Sequence, residues 1–293
     1  MITDVSDTAL WIAAVRANED AREDAVFRDP LASILAGERG CRIARSFSRS
    51  AMMAWGVVAR TSAIDRLIEE SLSSGVDTVL NLGAGMDTRP YRMTLPPQVR
   101  WIEVDFPNVV AAKTDRLLEY APVCRLERVG MDLLNRSSRS ELLVRCAEQS
   151  KNTLVITEGV ISYFSNEDAV ALAHDLHAAP SIRCWIQDFD NAGQRRLPRG
   201  WERQLNAAPF LLKVNDWFEF FEAAGWRSHR MISNIEEAER IHRPYPLDFP
   251  FGLILRALPR DMRTRILGLS GAVLLDKQTT GVSPSRPFAR SLQ

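Results

Sequence analysis

Apolar residues recur along this chain in two periodicities that change over near residue 76. Before that point the spacing is helical. Thr8 to Ala17 carries Leu10, Ala13, Ala14 and Ala17 on one face. Asp29-Pro30-Leu31 opens a second helix by placing proline after a capping acid, and Gly37 and Gly40 are expected to end it. Met52 to Ser73 reads as a longer helix with Trp55, Ala59, Ile64, Leu67 and Ile68 inward and Gly75 as its stop. From Asp77 the pattern becomes short apolar runs separated by helical stretches. Asp77 to Leu82, Arg100 to Asp105, Leu126 to Gly130, Thr153 to Thr157 and Ile182 to Ile186 read as strands, the last ending at Asp188. Val109, Val110, Leu117 and Leu118 give one intervening helix its apolar face, Ser140 to Ala147 forms another, and Asn166 caps a third that runs to His177. Trp217 to Ala224 and Ile235 to Ile241 read as helices, Trp226 to Ile232 and Leu267 to Leu275 as strands.

Alternating strands and helices predict an α/β fold whose mostly parallel sheet is covered on both faces. Right-handed crossovers then bring the acidic strand ends to one edge. The expected organisation is an N-terminal helical cap over residues 1–75 and a core over 76–278. Insertions are expected near 190–214 and 242–265, with a flexible tail over 279–293. A bare Rossmann-like domain does not need the first 75 residues, so they are expected to cover its ligand edge.

Composition narrows the functional classes. A chain of 293 residues can bury about three quarters of its unfolded surface, and 46% hydrophobic with 25% charged residues is ordinary for a globular protein. Lys plus Arg and Asp plus Glu both number 37, so no net field recruits nucleic acid or an anionic membrane. No apolar run is long enough to span a bilayer, and the N-terminus lacks the pattern of a signal peptide. Cys41, Cys124, Cys146 and Cys184 are too scattered for a zinc site. The expectation is a cytoplasmic protein without a metal.

The stretch carrying the most chemistry is Val79 to Pro107. Gly83-Ala-Gly85 follows the first strand, and Asp105 closes the second twenty residues later, the spacing at which a carboxylate can accept hydrogen bonds from a ribose. The third glycine of a dinucleotide fingerprint would fall at Thr88. Its absence points away from NAD and toward S-adenosylmethionine; the competing reading of the glycines is a left-handed structural turn.

Val79-Leu-Asn-Leu-Gly-Ala-Gly-Met-Asp-Thr-Arg89, Glu103-Val-Asp-Phe-Pro107 and Thr157-Glu-Gly-Val-Ile-Ser-Tyr163 together resemble the leucine carboxyl methyltransferase family of class I S-adenosylmethionine-dependent methyltransferases. Thr8-Ala9, Arg16-Ala17, Asp29-Pro-Leu-Ala32 and Ala59-Arg-Thr61 look like its bacterial branch, which includes polyketide carboxyl O-methyltransferases. The resemblance implies a Rossmann-like seven-stranded sheet, six strands parallel and the last antiparallel. It implies that Arg60 pairs with the cofactor's methionine carboxylate, that Gly83 and Gly85 give backbone contact, and that Asp105 holds the ribose. It further implies Asp132 near the adenine amino group and Glu158 beside the sulfonium and methionine portion. Read without it, Arg60 is a surface arginine, Asp132 a helix cap and Glu158 a strand-end acid on a loop. Tyr163 either lines the substrate pocket or is packed. His174 and His177 suit a polar helix face better than a metal site, and Arg195, Arg196 and Arg199 either recognise an acidic substrate or form a solvated loop.

The expected activity is transfer of a methyl group to the oxygen of a small acidic molecule, a carboxylate in secondary metabolism. A carboxylate is ionised at neutral pH and needs no general base, so none is named. The alternatives are a phenol or alcohol acceptor, a protein's terminal carboxylate, and a cofactor-binding regulator without turnover.

Overall fold

Leu80, Leu82, Ile102 and Val104 are buried on one side of their strands and Val79, Trp101, Leu154 and Ile156 on the other, so the central strands are covered on both faces. The computed structural model describes residues 5–46, 50–190, 209–243, 246, 257–259, 262 and 270–278. Its strands are β1 (Thr78–Leu82), β2 (Arg100–Asp105), β3 (Arg125–Gly130), β4 (Thr153–Thr157), β5 (Ile182–Asp190), β6 (Trp226–Ser233) and β7 (Ser270–Lys277). They form one seven-stranded sheet in the order β3-β2-β1-β4-β5-β7-β6, parallel except for β7, which is antiparallel to both neighbours. Strand order reverses between β1 and β4, the place where an open α/β sheet leaves a crevice for a ligand.

Helices α1 (Val5–Asp20), α2 (Ala32–Ser46) and α3 (Ser50–Ser73) precede the sheet, followed by α4 (Arg89–Arg92), α5 (Pro107–Arg116), α6 (Arg136–Gln149), α7 (Asn166–Ala178), α8 (Trp217–Ala223) and α9 (Asn234–Arg240). Ala63, Ile64, Leu67 and Ile68 of α3 pack on one sheet face. Leu142, Leu143 and Cys146 of α6 and Leu172, Ala173 and Leu176 of α7 pack on the other.

Several local expectations are corrected. Gly37 (φ 55°) does interrupt the helical backbone inside α2, but a second helical segment follows it directly and continues through Gly40. A Cβ at Gly40 would lie 2.5 Å from the Leu10 carbonyl oxygen, so this glycine serves close packing of α1 on α2. The cap of α7 is Ser165, which accepts from the Asp168 amide. Asn166 instead ties a later segment down, accepting from the Lys213 amide and donating to the Lys213 carbonyl, both at 2.8 Å. Leu118 is 81% exposed while Val109 and Leu117 are buried, because α5 ends at Arg116 and its apolar face ends with it. β5 runs to Asp190, past the expected end. Residues 191–208, which hold Arg195, Arg196 and Arg199, lie outside the described residues, as do most of 244–269 and the expected tail from 279. Among the described residues no helix is long and apolar enough to cross a membrane.

Candidate cofactor-binding site

The chain leaves β1 through a turn in which Gly83 (φ 71°) and Gly85 (φ 46°) both adopt left-handed backbone. The amides of Gly83 and Ala84 donate to the Val104 carbonyl at 2.7 and 3.0 Å, anchoring the turn to β2. A Cβ on Gly83 would lie 2.3 Å from Cγ2 of Val160, and one on Gly85 would lie 3.1 Å from Cβ of Ala9. Gly83 is thus fixed by the loop after β4 and Gly85 by α1, which reaches over the turn. Asp105 completes this half. Its Oδ2 accepts from the Gly85 amide and its Oδ1 from the Phe106 amide, both at 2.7 Å. Burial pushes its carboxyl above the ordinary aspartate value, the two amides and Lys113 opposing.

Across the β1/β4 crevice lies a buried ion network. Arg60, on α3, donates from Nε to Glu158 at 3.1 Å and from Nη1 to Asp188 at 2.8 Å. Arg89 donates from Nη1 to Glu158 at 2.8 Å and to Asp87 at 2.9 Å, and from Nε to Asp65 at 2.6 Å. Asp65 also takes two bonds from Arg92, at 2.7 and 2.9 Å. Arg16 of α1 approaches Asp29 at 3.5 Å and Asp87 at 3.7 Å and donates to the Met86 carbonyl. Burial alone would raise the carboxyls of Glu158 and Asp87. Arg89, with Arg60 for Glu158 and Arg16 for Asp87, reverses this and holds both below the ordinary carboxylate range. At Asp188 burial outweighs Arg60 and the Gly159 amide, which donates to it at 2.8 Å, so that carboxyl is raised.

Of the residues named from sequence, Gly83, Gly85, Asp105, Arg60 and Glu158 converge on this edge. Asp132 follows β3 on the same edge but is exposed, and its Oδ1 accepts from the Leu134 amide at 2.9 Å, forming the turn before α6. The cap of α6 is Asn135. Tyr163 packs against Phe210 with ring centroids 5.2 Å apart; burial raises its hydroxyl, which also feels the charges of Arg60 and Asp188. It stands beside the network and is packed as well.

Sequence reasoning assigned no role to Asp87, Arg89 or Asp188. The signal for the first two was a pair of opposite charges two residues apart inside a motif otherwise read as a loose turn. None of the four histidines forms a described hydrogen bond or ion pair with the network. His174 is exposed on α7, His177 packs on Trp226 and Gly225, His229 pairs with Asp276 on the outer strands, and His242 follows α9.

The donor set fits S-adenosylmethionine. Arg60 and Arg89 are planar forks suited to a carboxylate, and Nη2 of buried Arg89 has no hydrogen-bond partner among the described residues. Glu158 and Asp188 suit an ammonium and a sulfonium, Asp105 suits ribose hydroxyls, and the glycine turn admits close backbone approach.

The leucine carboxyl methyltransferase family model matches residues 9–177, which span α1 through α7 and hold every residue of this site except Asp188. A Streptomyces coelicolor protein bearing the name "Putative S-adenosyl-L-methionine-dependent methyltransferase" is 38% identical over 176 residues, 56% of this chain and 61% of its own length. The aligned part thus covers less than two thirds of that relative. A Parafrankia protein of the same designation is 29% identical over 266 residues, 84% of each chain. The fold is shared with a crystal structure of a duf574 family protein from Streptomyces avermitilis (17% identity, TM-score 0.54, covering 91% of this chain and 97% of that one). A Thermobifida fusca structure aligns similarly (13% identity, TM-score 0.56, covering 92% and 94%). With its glycine turn, the strand-end acid Asp105 and the Arg60–Glu158 pair assembled on one sheet edge, the chain belongs to the leucine carboxyl methyltransferase family of S-adenosylmethionine-dependent methyltransferases.

Proposed function

We propose that this protein is an O-methyltransferase that forms a methyl ester on a carboxylate of a small molecule, such as a polyketide or another secondary metabolite. The observation carrying this reading is that all four histidines stand apart from the network, so the site offers no imidazole to take a proton from an acceptor. A carboxylate needs none, being about 99.9% ionised at pH 7. Bound S-adenosylmethionine supplies an electrophilic methyl group on a positively charged sulfur. The chain's own residues then bind, orient and exclude water. Asp105 would hold the ribose, Gly83 and Gly85 would allow close approach of the backbone, and Arg60 with Arg89 would hold the amino-acid carboxylate. Glu158 would hold the ammonium, Asp132 would lie toward the adenine, and α1 would exclude water above the glycine turn. Tyr163 would line the acceptor side.

One observation favours a second reading. Burial keeps Asp188 more basic than an ordinary aspartate near the end of β5, where it could accept the proton of a phenol or alcohol. Against this, both of its oxygens already accept hydrogen bonds. The test is to incubate the protein with methyl-labelled cofactor and a small-molecule extract and treat the labelled product with mild alkali. Released methanol supports the ester; an alkali-stable ether transfers the assignment to the hydroxyl reading. No methyl transfer despite cofactor binding would favour a regulator, and label in protein would favour a terminal carboxylate.

A further inference from the structure

Six of the charged side chains beside the glycine turn close into a ring in which carboxylate and guanidinium alternate. Arg89 pairs with Asp65 at 2.6 Å and with Asp87 at 2.9 Å, Asp65 with Arg92 at 2.7 Å, and Asp87 with Arg16 at 3.7 Å. Asp29 completes the ring, 3.5 Å from Nε of Arg16 and 3.9 Å from Nε of Arg92. Three charges of each sign balance, and none of the six side chains is more than 14% exposed. The ring is tight on one side and loose on the other. Its contacts at Asp65 and between Arg89 and Asp87 are hydrogen bonds, whereas those at Asp29 and between Arg16 and Asp87 are too long to be. Both carboxylate oxygens of Asp29 and the two Nε atoms facing it are buried without a hydrogen-bond partner among the described residues. Asp29 therefore acts on its neighbours by charge, and an attraction that falls only as the inverse of distance keeps most of its strength at 3.5 to 3.9 Å.

We infer that Asp29, on the loop between α1 and α2, is a positioning residue: it keeps Arg16 and Arg92 from competing for the two carboxylates that hold Arg89, and so fixes the free edge of Arg89 for the amino-acid end of the cofactor. The inference rests on the reading of Arg89 proposed above. Arg89 spends Nε on Asp65 and Nη1 on Asp87 and Glu158, which leaves Nη2 buried without a partner. That edge keeps one direction only while Asp65 and Asp87 grip the rest of the guanidinium. Without the charge of Asp29, three guanidiniums of the ring would share two carboxylates. Arg16 would then have only Asp87 in the ring and Arg92 only Asp65, and each would draw its carboxylate away from Arg89. The loop that carries Asp29 also holds Arg92 by a second contact, since Phe27 lies under its guanidinium with the ring centroid 5.2 Å away. Asp29 itself pairs with Arg16 and Arg92 alone among the described residues, so its effect on a ligand passes through them.

The experiment is calorimetric titration with two ligands that are neutral overall: the demethylated product of S-adenosylmethionine, and 5′-deoxy-5′-methylthioadenosine, the same nucleoside thioether without the amino-acid end. Neither carries a net charge for a general change of potential to act on, so the Kd of methylthioadenosine divided by the Kd of product reads the hold on the amino-acid end. In Asp29→Asn this ratio should fall about tenfold, the loss of one hydrogen bond to a charged group. In an Arg89→Gln background the ratio is already low, and adding Asp29→Asn should change it less than about twofold, because both changes act on one contact. Combining Asp29→Asn with Arg92→Gln leaves two ring charges of each sign and should bring the ratio back to within about threefold of the parent, whereas a residue that only supported the fold would make this pair worse than the single variant. If Asp29→Asn does not fold, the charge-balanced pair is read alone by the same criterion, and failure of both to fold would overturn the inference. A fall of less than threefold in folded Asp29→Asn, or no recovery in the pair, would overturn it too. A parent that binds the product no better than methylthioadenosine would overturn the reading of Arg89 and the inference with it, and a parent that binds neither these ligands nor S-adenosylmethionine would overturn the cofactor reading itself.

Discussion

Gly83 shows how narrowly one residue can be specified. Its φ of 71° disfavours any side chain, and a Cβ would sit 2.3 Å from Val160 Cγ2. Gly83→Ala should therefore destabilise the protein by about 2 to 4 kcal/mol, combining backbone strain with overpacking. The double variant with Val160→Ala should recover only the packing part, and denaturant unfolding measures both. Asp105→Ala acts differently. It removes the proposed ribose acceptor and frees the Gly85 and Phe106 amides, so cofactor binding should weaken by about 1.5 to 3 kcal/mol in calorimetry while the fold survives. Unchanged binding would remove Asp105 from the site. Asp105 is legible in the amino-acid sequence because its spacing from Gly85 follows from one β–turn–β segment. Arg89 and Asp188 are not, since the pairs they form span 69 residues for Arg89–Glu158 and 128 for Arg60–Asp188. Local periodicity places a residue at an edge but does not say which charge it meets there.

Among the elements, the strands were the most legible. Their apolar runs have sharp polar ends, and β2 and β4 begin and end where the sequence implies. Gly40 misled, because it lies where two helices touch and not where one stops. The α1–α2 pair matters to the site through Ala9, which lies over Gly85, and Arg16, which bonds Met86 in the glycine turn. Gly40→Ala, pushing α1 away from α2, should cost about 1 to 3 kcal/mol of stability and should also weaken cofactor binding although residue 40 is remote from the turn. Thermal melts with and without S-adenosylmethionine separate the effects: a ligand-induced shift equal to the parent's would show that α1 does not cover the ligand.

For the whole molecule, the network sets a dependence on pH with two opposing parts. The carboxyls of Glu158 and Asp87 are depressed in the fold, so their stabilisation is present above the unfolded carboxylate value near pH 4 and is lost as pH falls toward their folded values. Asp188 and Asp105 have raised carboxyls, so their contribution is present below the unfolded value and disappears as pH rises through the folded one. Melting curves at pH 7 should accordingly show Glu158→Gln well below the parent, by roughly 3 kcal/mol for a buried charge pair broken on one side. Asp188→Asn should melt at or above the parent, and melting far below it would refute the sign assigned to Asp188.

The wide sequence separations within the network also bear on how the chain acquires its native state. Arg16 meets Asp87 only after 71 further residues, and Arg60 meets Asp188 only after 128. Loops that long must close before the pairing contributes anything, and such contacts form slowly. During synthesis from the N-terminus, α3 would emerge carrying an arginine whose carboxylates are still to come. A chain interrupted before Asp188 would have its first three helices and would hold Arg60 through Glu158 alone.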